Sequence, residues 1–208
     1  MAEASMKLVG RMLSPYVRRV AIWCALQGRE IEVLPVAATD PAQADTIKSF
    51  HPGMRVPVLV LDDGTKLLET IPICDWLDDS LPDERLVPAT GIPRRDCMQR
   101  IGLAHSSVEK VISLVYEKNR RPEAFHWKDW QERVLTQIEG GFTAMEALAP
   151  EAGFFGGETP DGSDIAFVCT FHQAKATNPF LVEGRYPKLT AHAERAMQIP
   201  AFAETYPG

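Results

Sequence analysis

Three short segments carry residues whose types and spacing can do chemistry. The first is Ser14-Pro15-Tyr16-Val17-Arg18-Arg19-Val20. Serine is a favoured helix cap, and proline suits the first helical position. Partial positive charge collects at a helix amino terminus, so a hydroxyl held there can donate to and stabilise a thiolate. The same residues also make an ordinary helix opening. The second segment is Arg55-Val56-Pro57-Val58-Leu59. A proline in an apolar strand removes a ladder donor. A cis Val56-Pro57 bond is the expectation, with a trans proline at the strand's first residue as the alternative. Val56 then keeps an outward N–H and C=O that can pair with a peptide-like ligand as an added strand does. The third is Glu69-Thr70-Ile71-Pro72. Thr70 is expected to cap a helix whose N–H groups, with the Thr70 hydroxyl, suit a carboxylate. Glu69 beside them suits an ammonium. An α-amino acid head group carries both charges, although a capped helix without a ligand reads from the same residues.

The elements that must position these segments follow from periodicity. Lys7 to Gly10 reads as a short strand. Val17, Val20, Ala21, Cys24 and Ala25 recur at helical spacing through Gln27, and Gly28 stops the helix. Glu30 to Val36 reads as a second strand. Asp40-Pro41 opens a polar helix ending near Phe50, and Val56 to Leu61 is an apolar strand. Asp63-Gly64 is a hairpin turn leading to Thr65 to Leu68. Thr70 begins another helix, Ile71 to Leu77. The order β-α-β-α-β-β-α predicts a parallel pair joined through a helix and an antiparallel hairpin. Asp79 to Pro93 holds Pro82, Pro88, Gly91 and Pro93 and reads as a linker region. After it every pattern is helical: Met98, Ile101, Ala104, Val108, Val111 or Ile112, and Val115; then Trp127, Trp130, Val134, Ile138 and Met145; then Pro187 through Met197. Asp161-Gly162-Ser163-Asp164 resembles a helix cap with an acidic residue three positions on.

Composition narrows the function classes. With 208 residues the chain can bury a substantial core. A net charge of −6, from 22 Lys and Arg against 28 Asp and Glu, argues against a nucleic-acid binder. It leaves a small anionic ligand open, because a local site can oppose the global sign. Cys24, Cys74, Cys97 and Cys169 form no C-x-x-C pair and have no metal spacing, so reduced, buried thiols are expected and no metal. Met1 to Ser5 show no basic start followed by an apolar run, and no apolar stretch approaches the ~20 residues of a membrane span. The expectation is a cytoplasmic protein without a membrane partner.

Taken in order and spacing, the three segments, with Asp62-Asp63-Gly64-Thr65-Lys66-Leu67-Leu68 leading into Glu69, resemble the amino-terminal domain of cytosolic glutathione transferases. Tyr186-Pro187-Lys188-Leu189 continuing to Ile199-Pro200-Ala201-Phe202 resembles their carboxy-terminal end, and Asp161 to Ala166 is similar to their cap-and-aspartate motif. Serine-type bacterial members, including those with the run found here as Arg120-Arg121-Pro122-Glu123, are the most alike. The resemblance implies an α/β thioredoxin-like domain over 6–83, a linker over 84–93 and an all-α domain over 94–208. It implies glutathione as co-substrate, a small hydrophobic electrophile, conjugation or peroxide reduction in detoxification, and a homodimer.

Carried over, Ser14 matches the catalytic position, Val56 the residue before the family's cis proline, Pro57, and Glu69 with Thr70 the pair holding the γ-glutamyl end. Arg55 matches a basic position that reaches the glycine end in some classes. Tyr16, Ser107, Val111, Val115 and Tyr116 are candidates for the second-substrate pocket, with helix-bundle core as the other reading of the valines. Several positions depart from the pattern. Thr70 stands where Ser is usual, Pro72 replaces a small residue, and His51-Pro52 stands where Asn-Pro is frequent, which opens the glycine-end contact. The serine pair and cysteine of the zeta-type isomerases are absent. A protein of this fold that binds without turnover is the rival reading. A thiol–disulfide exchanger is disfavoured, since position 14 offers no thiol.

Overall fold

The computed structural model describes residues 6–207, so the reading of Met1 to Ser5 and the last residue of the expected helical domain, Gly208, lie outside it. The described chain forms two compact units. One runs to Val87 and takes in the residues from Ile199 onward; the other is Pro88–Gln198.

The first unit is built on a four-stranded sheet of order β2-β1-β3-β4, from β1 (Met6–Val9), β2 (Ile31–Leu34), β3 (Val58–Val60) and β4 (Lys66–Leu68). β1 and β2 are parallel, joined through helix α1 (Pro15–Leu26); β1 with β3 and β3 with β4 are antiparallel, as the element order requires. The Asp63-Gly64 turn closes the hairpin, with Gly64 at φ 84°. Ser14 caps α1 and Gly28, at φ 67°, ends it in the left-handed conformation glycine adopts without cost. The expected polar helix is a 3-10 turn, Pro41–Gln43, followed by α2 (Ala44–Phe50). The strand expected over 56–61 begins only at Val58, and the Val56-Pro57 bond ahead of it is cis. Pro57 therefore sits where no ladder donor is needed.

α1 is buried along nearly its whole length, and α3 (Thr70–Ser80) packs beside it. Both helices are anchored by one carboxylate. The buried Asp78 of α3 accepts from Trp23 Nε1 (2.8 Å) and Gln27 Nε2 (3.0 Å), and from the backbone N–H of Leu86 (3.1 Å) and Val87 (2.9 Å). A buried charge needs this many donors. The last two explain why the first unit extends to Val87, beyond the expected end at 83. A second extension is supplied by buried Arg18, which donates to Phe202 O (2.9 Å) and lies over the Tyr206 ring (5.0 Å). The segment from Ile199 thus packs with the first unit, where the sequence reading ran the helical domain on to 208.

The second unit is all-helical: α4 (Gly91–Arg120), α5 (Lys128–Leu148), α6 (Gly162–Thr177) and α7 (Pro187–Ala196), with α4 packed on both α5 and α6. The expected periodicity appears as the buried stripes Ile101, Ala104, Val108, Val111 and Val134, Ile138, Phe142, Met145. Trp127 departs from it: it precedes α5 and is 61% exposed. Asp161 caps α6, and Asp164 reciprocates to the Asp161 N–H, completing a capping box. A short α8 (Pro200–Ala203) belongs to the first unit. No helix of the described residues is long and apolar enough to cross a membrane.

Gly10, at φ 134°, follows β1 where three chain segments crowd. A Cβ there would lie 2.4 Å from Val17 Cγ2 and 3.1 Å from Val56 Cβ. Gly10→Ala should therefore destabilise the protein by about 1–3 kcal/mol through overpacking and backbone strain, read as a lower denaturant midpoint. The four cysteines are free and buried. Burial pushes the Cys24 thiol from its ordinary 9.0 up to about 12, and burial followed by the charge of Asp161 does the same to Cys97. The folded chain holds these protons where the unfolded chain releases them, so their contribution to stability is full below pH 9 and lost as pH rises from 9 toward 12. Unfolding midpoints measured across that range should fall, and fall less in the Cys24→Ala, Cys97→Ala double variant.

Candidate functional site

Register gathers the chemical segments. Leu34 pairs with Val9, Val9 with Val58, and Val58 with Leu68, so these four form one row across an end of the sheet. Just past that row, β1 runs out through Gly10 toward Ser14, β3 is entered from Val56-Pro57, and β4 runs out into Glu69 and Thr70. Segments far apart in sequence leave or enter the sheet at the same edge because the β1–β3 and β3–β4 pairs are antiparallel.

The two helices then bring their amino termini together. Thr70 Oγ1 donates to Tyr16 O at 3.5 Å, joining the first turns of α3 and α1. At the other end Asp78 joins Trp23 and Gln27. α1 and α3 are therefore parallel, and two amino termini with their unpaired N–H groups and partial positive charge stand side by side. Ser14 is half-buried, and its Oγ accepts only a long 3.5 Å contact from Val17 N–H, so the hydroxyl is lightly engaged. Thr70 is buried and is the first residue of α3; the cap position belongs to Glu69, which corrects the expectation that Thr70 caps. Pro72 lies in the first turn, where it forfeits no intrahelical bond. The donors left at the start of α3 are the N–H groups of Thr70 and Ile71; the Thr70 hydroxyl, whose contact with Tyr16 O is long at 3.5 Å, can turn from that carbonyl to a ligand.

Glu69 is held at φ 67°, ψ 144°, a conformation close to one reserved for glycine and costing on the order of 1–3 kcal/mol. Its Oε1 faces both His51 Nε2 and Arg55 Nε, each at 3.3 Å. The Glu69 side chain stays 43% exposed while His51 is buried. Strain of this kind persists where surrounding contacts over-determine it. Val56 stands outside the ladder, since β3 begins at Val58, so strand pairing does not consume its peptide groups.

The structure thus brings together Ser14, Tyr16, Arg55, Val56, Pro57, Glu69 and Thr70 in the first unit. Arg55, which the resemblance aims at the glycine end, is paired with Glu69. Ser107, Val111, Val115 and Tyr116 belong to α4 of the second unit. Ser107 is buried, donates to Leu103 O (2.8 Å) and abuts Gly141 of α5; Val111 is buried, Val115 half-buried and Tyr116 exposed. Sequence reasoning missed Gly10, whose need shows only in three-dimensional crowding, and the contact of His51 with Glu69. The pair His51-Pro52 was the one signal pointing there.

Comparison with known proteins accords with this geometry. Residues 13–80 match the family described as Glutathione S-transferase, N-terminal domain, and residues 128–195 match Glutathione S-transferase, C-terminal domain. The chain is 28% identical to glutathione S-transferase Z1 of Arabidopsis thaliana, over 99% of this chain and 93% of that one. It is 26% identical to a maleylacetoacetate isomerase of Pseudomonas aeruginosa, over 97% and 96%. A crystal structure of a glutathione S-transferase from Methylobacterium radiotolerans, in complex with glutathione sulfonate, superposes with a TM-score of 0.91 at 26% identity, covering 98% of this chain and 95% of that one. The first match spans the capped start of α1, the Val56-Pro57 bond and the start of α3, and the second runs from α5 into α7; the chain belongs to the glutathione S-transferase family of enzymes.

Proposed function

We propose that this protein is a serine-type glutathione transferase that binds glutathione along the end of its sheet and activates the thiol for attack on a small hydrophobic electrophile. The observation that carries the reading is the convergence of Ser14, Val56, Glu69 and Thr70 past the row Leu34, Val9, Val58 and Leu68. The γ-glutamyl carboxylate takes the amides and hydroxyl at the start of α3, and its ammonium takes Glu69. The N–H and C=O of Val56 pair with the cysteinyl part of the tripeptide. The thiol then lies toward the Ser14 hydroxyl at the start of α1. Glutathione bound in relatives of this fold, such as the complex with glutathione sulfonate, supports the choice of ligand.

Magnitudes allow Ser14 to suffice without a general base. A free thiol has a pKa of about 8.5, and lowering it by ~2 units needs roughly 2.7 kcal/mol of preference for the thiolate. A hydrogen bond to a charged group supplies ~1.5–3 kcal/mol and a helix terminus ~0.3–1 more. Tyr16, two residues beyond Ser14, is assigned a role in binding the second substrate. We assign the protein to the cytoplasm, as a homodimer.

The curated relatives named as maleylacetoacetate isomerases favour a second reading, in which the thiolate adds to an activated double bond, the new single bond rotates, and the thiolate leaves again. The lack of the zeta-type serine pair and cysteine at this position weighs against it. Glutathione is consumed in conjugation or peroxide reduction and regenerated in isomerisation, so following free thiol during turnover of aryl halides, peroxides and maleylacetoacetate separates the two. Binding of glutathione with no turnover of any of them would favour the rival, a binding protein.

Ser14→Ala should raise the pKa of bound glutathione and lower kcat/KM by about tenfold to a hundredfold, while affinity for glutathione falls much less. Loss of the cap costs about 1 kcal/mol of stability, so folding is checked alongside. The decisive readout is ultraviolet thiolate absorbance of the complex against pH; an unmoved titration would reassign the role to Tyr16 or to the helix terminus alone. Thr70→Val should weaken glutathione binding by about 1–3 kcal/mol in calorimetry, through loss of a hydrogen bond to the carboxylate.

A further inference from the structure

The mechanism above leaves one buried titratable group beside the site unused, the imidazole of His51. The ring closes the chain on itself: its Nδ1 accepts from the Gly53 N–H at 2.9 Å, so Nδ1 carries no proton. The proton is on Nε2, which faces Glu69 Oε1 at 3.3 Å and donates to it. The ring has little room to turn. It is buried, and a Cβ on Gly53 would lie 3.0 Å from its Cε1 and 3.2 Å from its Nδ1. His51 itself is fixed at the end of α2, where its N–H donates to Ile47 O at 2.8 Å. A rigid donor of defined tautomer therefore engages one oxygen of a carboxylate that sits on a strained backbone and is otherwise half-exposed. Arg55 Nε meets that same oxygen, Oε1, but from a side chain that is 53% exposed. The buried imidazole, rather than the surface guanidinium, is the contact that fixes the rotamer of Glu69.

We propose that His51 is a positioning residue that orients Glu69 to receive the ammonium of the ligand's γ-glutamyl group. It thereby sets selectivity for a free α-amino group over a blocked one. The inference rests on the reading of Glu69 given under the proposed function. Asparagine is the informative replacement. Its side-chain oxygen can still accept from the N–H two residues on, as Asn does in turns, but it is too short to reach Glu69.

Calorimetry with glutathione and with N-acetylglutathione, whose amine is blocked, tests this. The unsubstituted protein should prefer glutathione, and His51→Asn should lose about tenfold of that preference while its unfolding midpoint stays close to the original. Gly53→Ala, which crowds the ring without touching Glu69, should move the preference in the same direction. In a Glu69→Gln background, already without the preference, His51→Asn should add no further loss. Equal weakening of both ligands by His51→Asn, or a preference left intact, overturns the positioning role while leaving glutathione binding in place. Failure of the unsubstituted protein to bind glutathione at all overturns the reading of Glu69 and this inference together.

Discussion

Val9, Val58 and Leu68 stand opposite one another across three strands, and the antiparallel sense of those pairings decides where every chemical group of the first unit lies. Leu8 with Val9 and Val58 with Leu59 are buried on opposite faces of the sheet, so a slip of one residue between β1 and β3 would repack both faces at once. With register fixed, the exit of β1, the entry of β3 and the exit of β4 share an edge. That shared edge makes Ser14, Val56 and Glu69 neighbours although the hairpin and two helices separate them in sequence.

The helices convert a shared edge into a polarised site. α1 and α3 lie parallel, held at their carboxy-terminal ends by the four donors on Asp78 and at their amino-terminal ends by Thr70 against the Tyr16 carbonyl. Parallel neighbouring helices are electrostatically unfavourable to each other at their termini, and an anionic ligand bound between the two amino ends relieves that. The acidic side chain there, Glu69, faces the Arg55 guanidinium and accepts from the N–H of the neutral His51 ring. The edge thus offers both signs of charge, which a zwitterionic head group requires and a simple anion does not.

The second unit holds itself together by a comparable device. Asp161 and Asp164 cap α6 reciprocally; Asp164 also accepts from Phe155 N–H (3.0 Å) and meets buried His192 of α7 at 3.1 Å, and Arg100 of α4 reaches Asp161 (3.3 Å) and Ser163 (2.9 Å). One helix start thereby ties three helices and a loop. Burial, and next the charge of Asp164, raises the Asp161 carboxyl above its ordinary value, so this cap is held against an electrostatic cost that the N–H donors and Arg100 offset.

Read alone, the sequence determined the element types and the three chemical segments. Helix caps, the Asp-Gly turn, the proline before the strand and the period of the apolar residues are local signals, written in neighbouring side chains and decided by backbone sterics and nearby hydrogen bonds. It placed Ser14 at the head of α1 and Asp161 with Asp164 at the head of α6. What it could not carry was anything settled between distant residues. That Glu69 rather than Thr70 takes the cap position follows from a positive φ that no local preference of glutamate announces. That the chain from Ile199 returns to the first unit follows from a buried arginine reaching Phe202 O, and that the first unit extends to Val87 follows from Asp78 collecting donors. That His51 serves Glu69 follows from the end of α2 meeting the end of β4. Each of these is a pairing of buried polar groups, whose partners are chosen by packing after the chain has closed on itself.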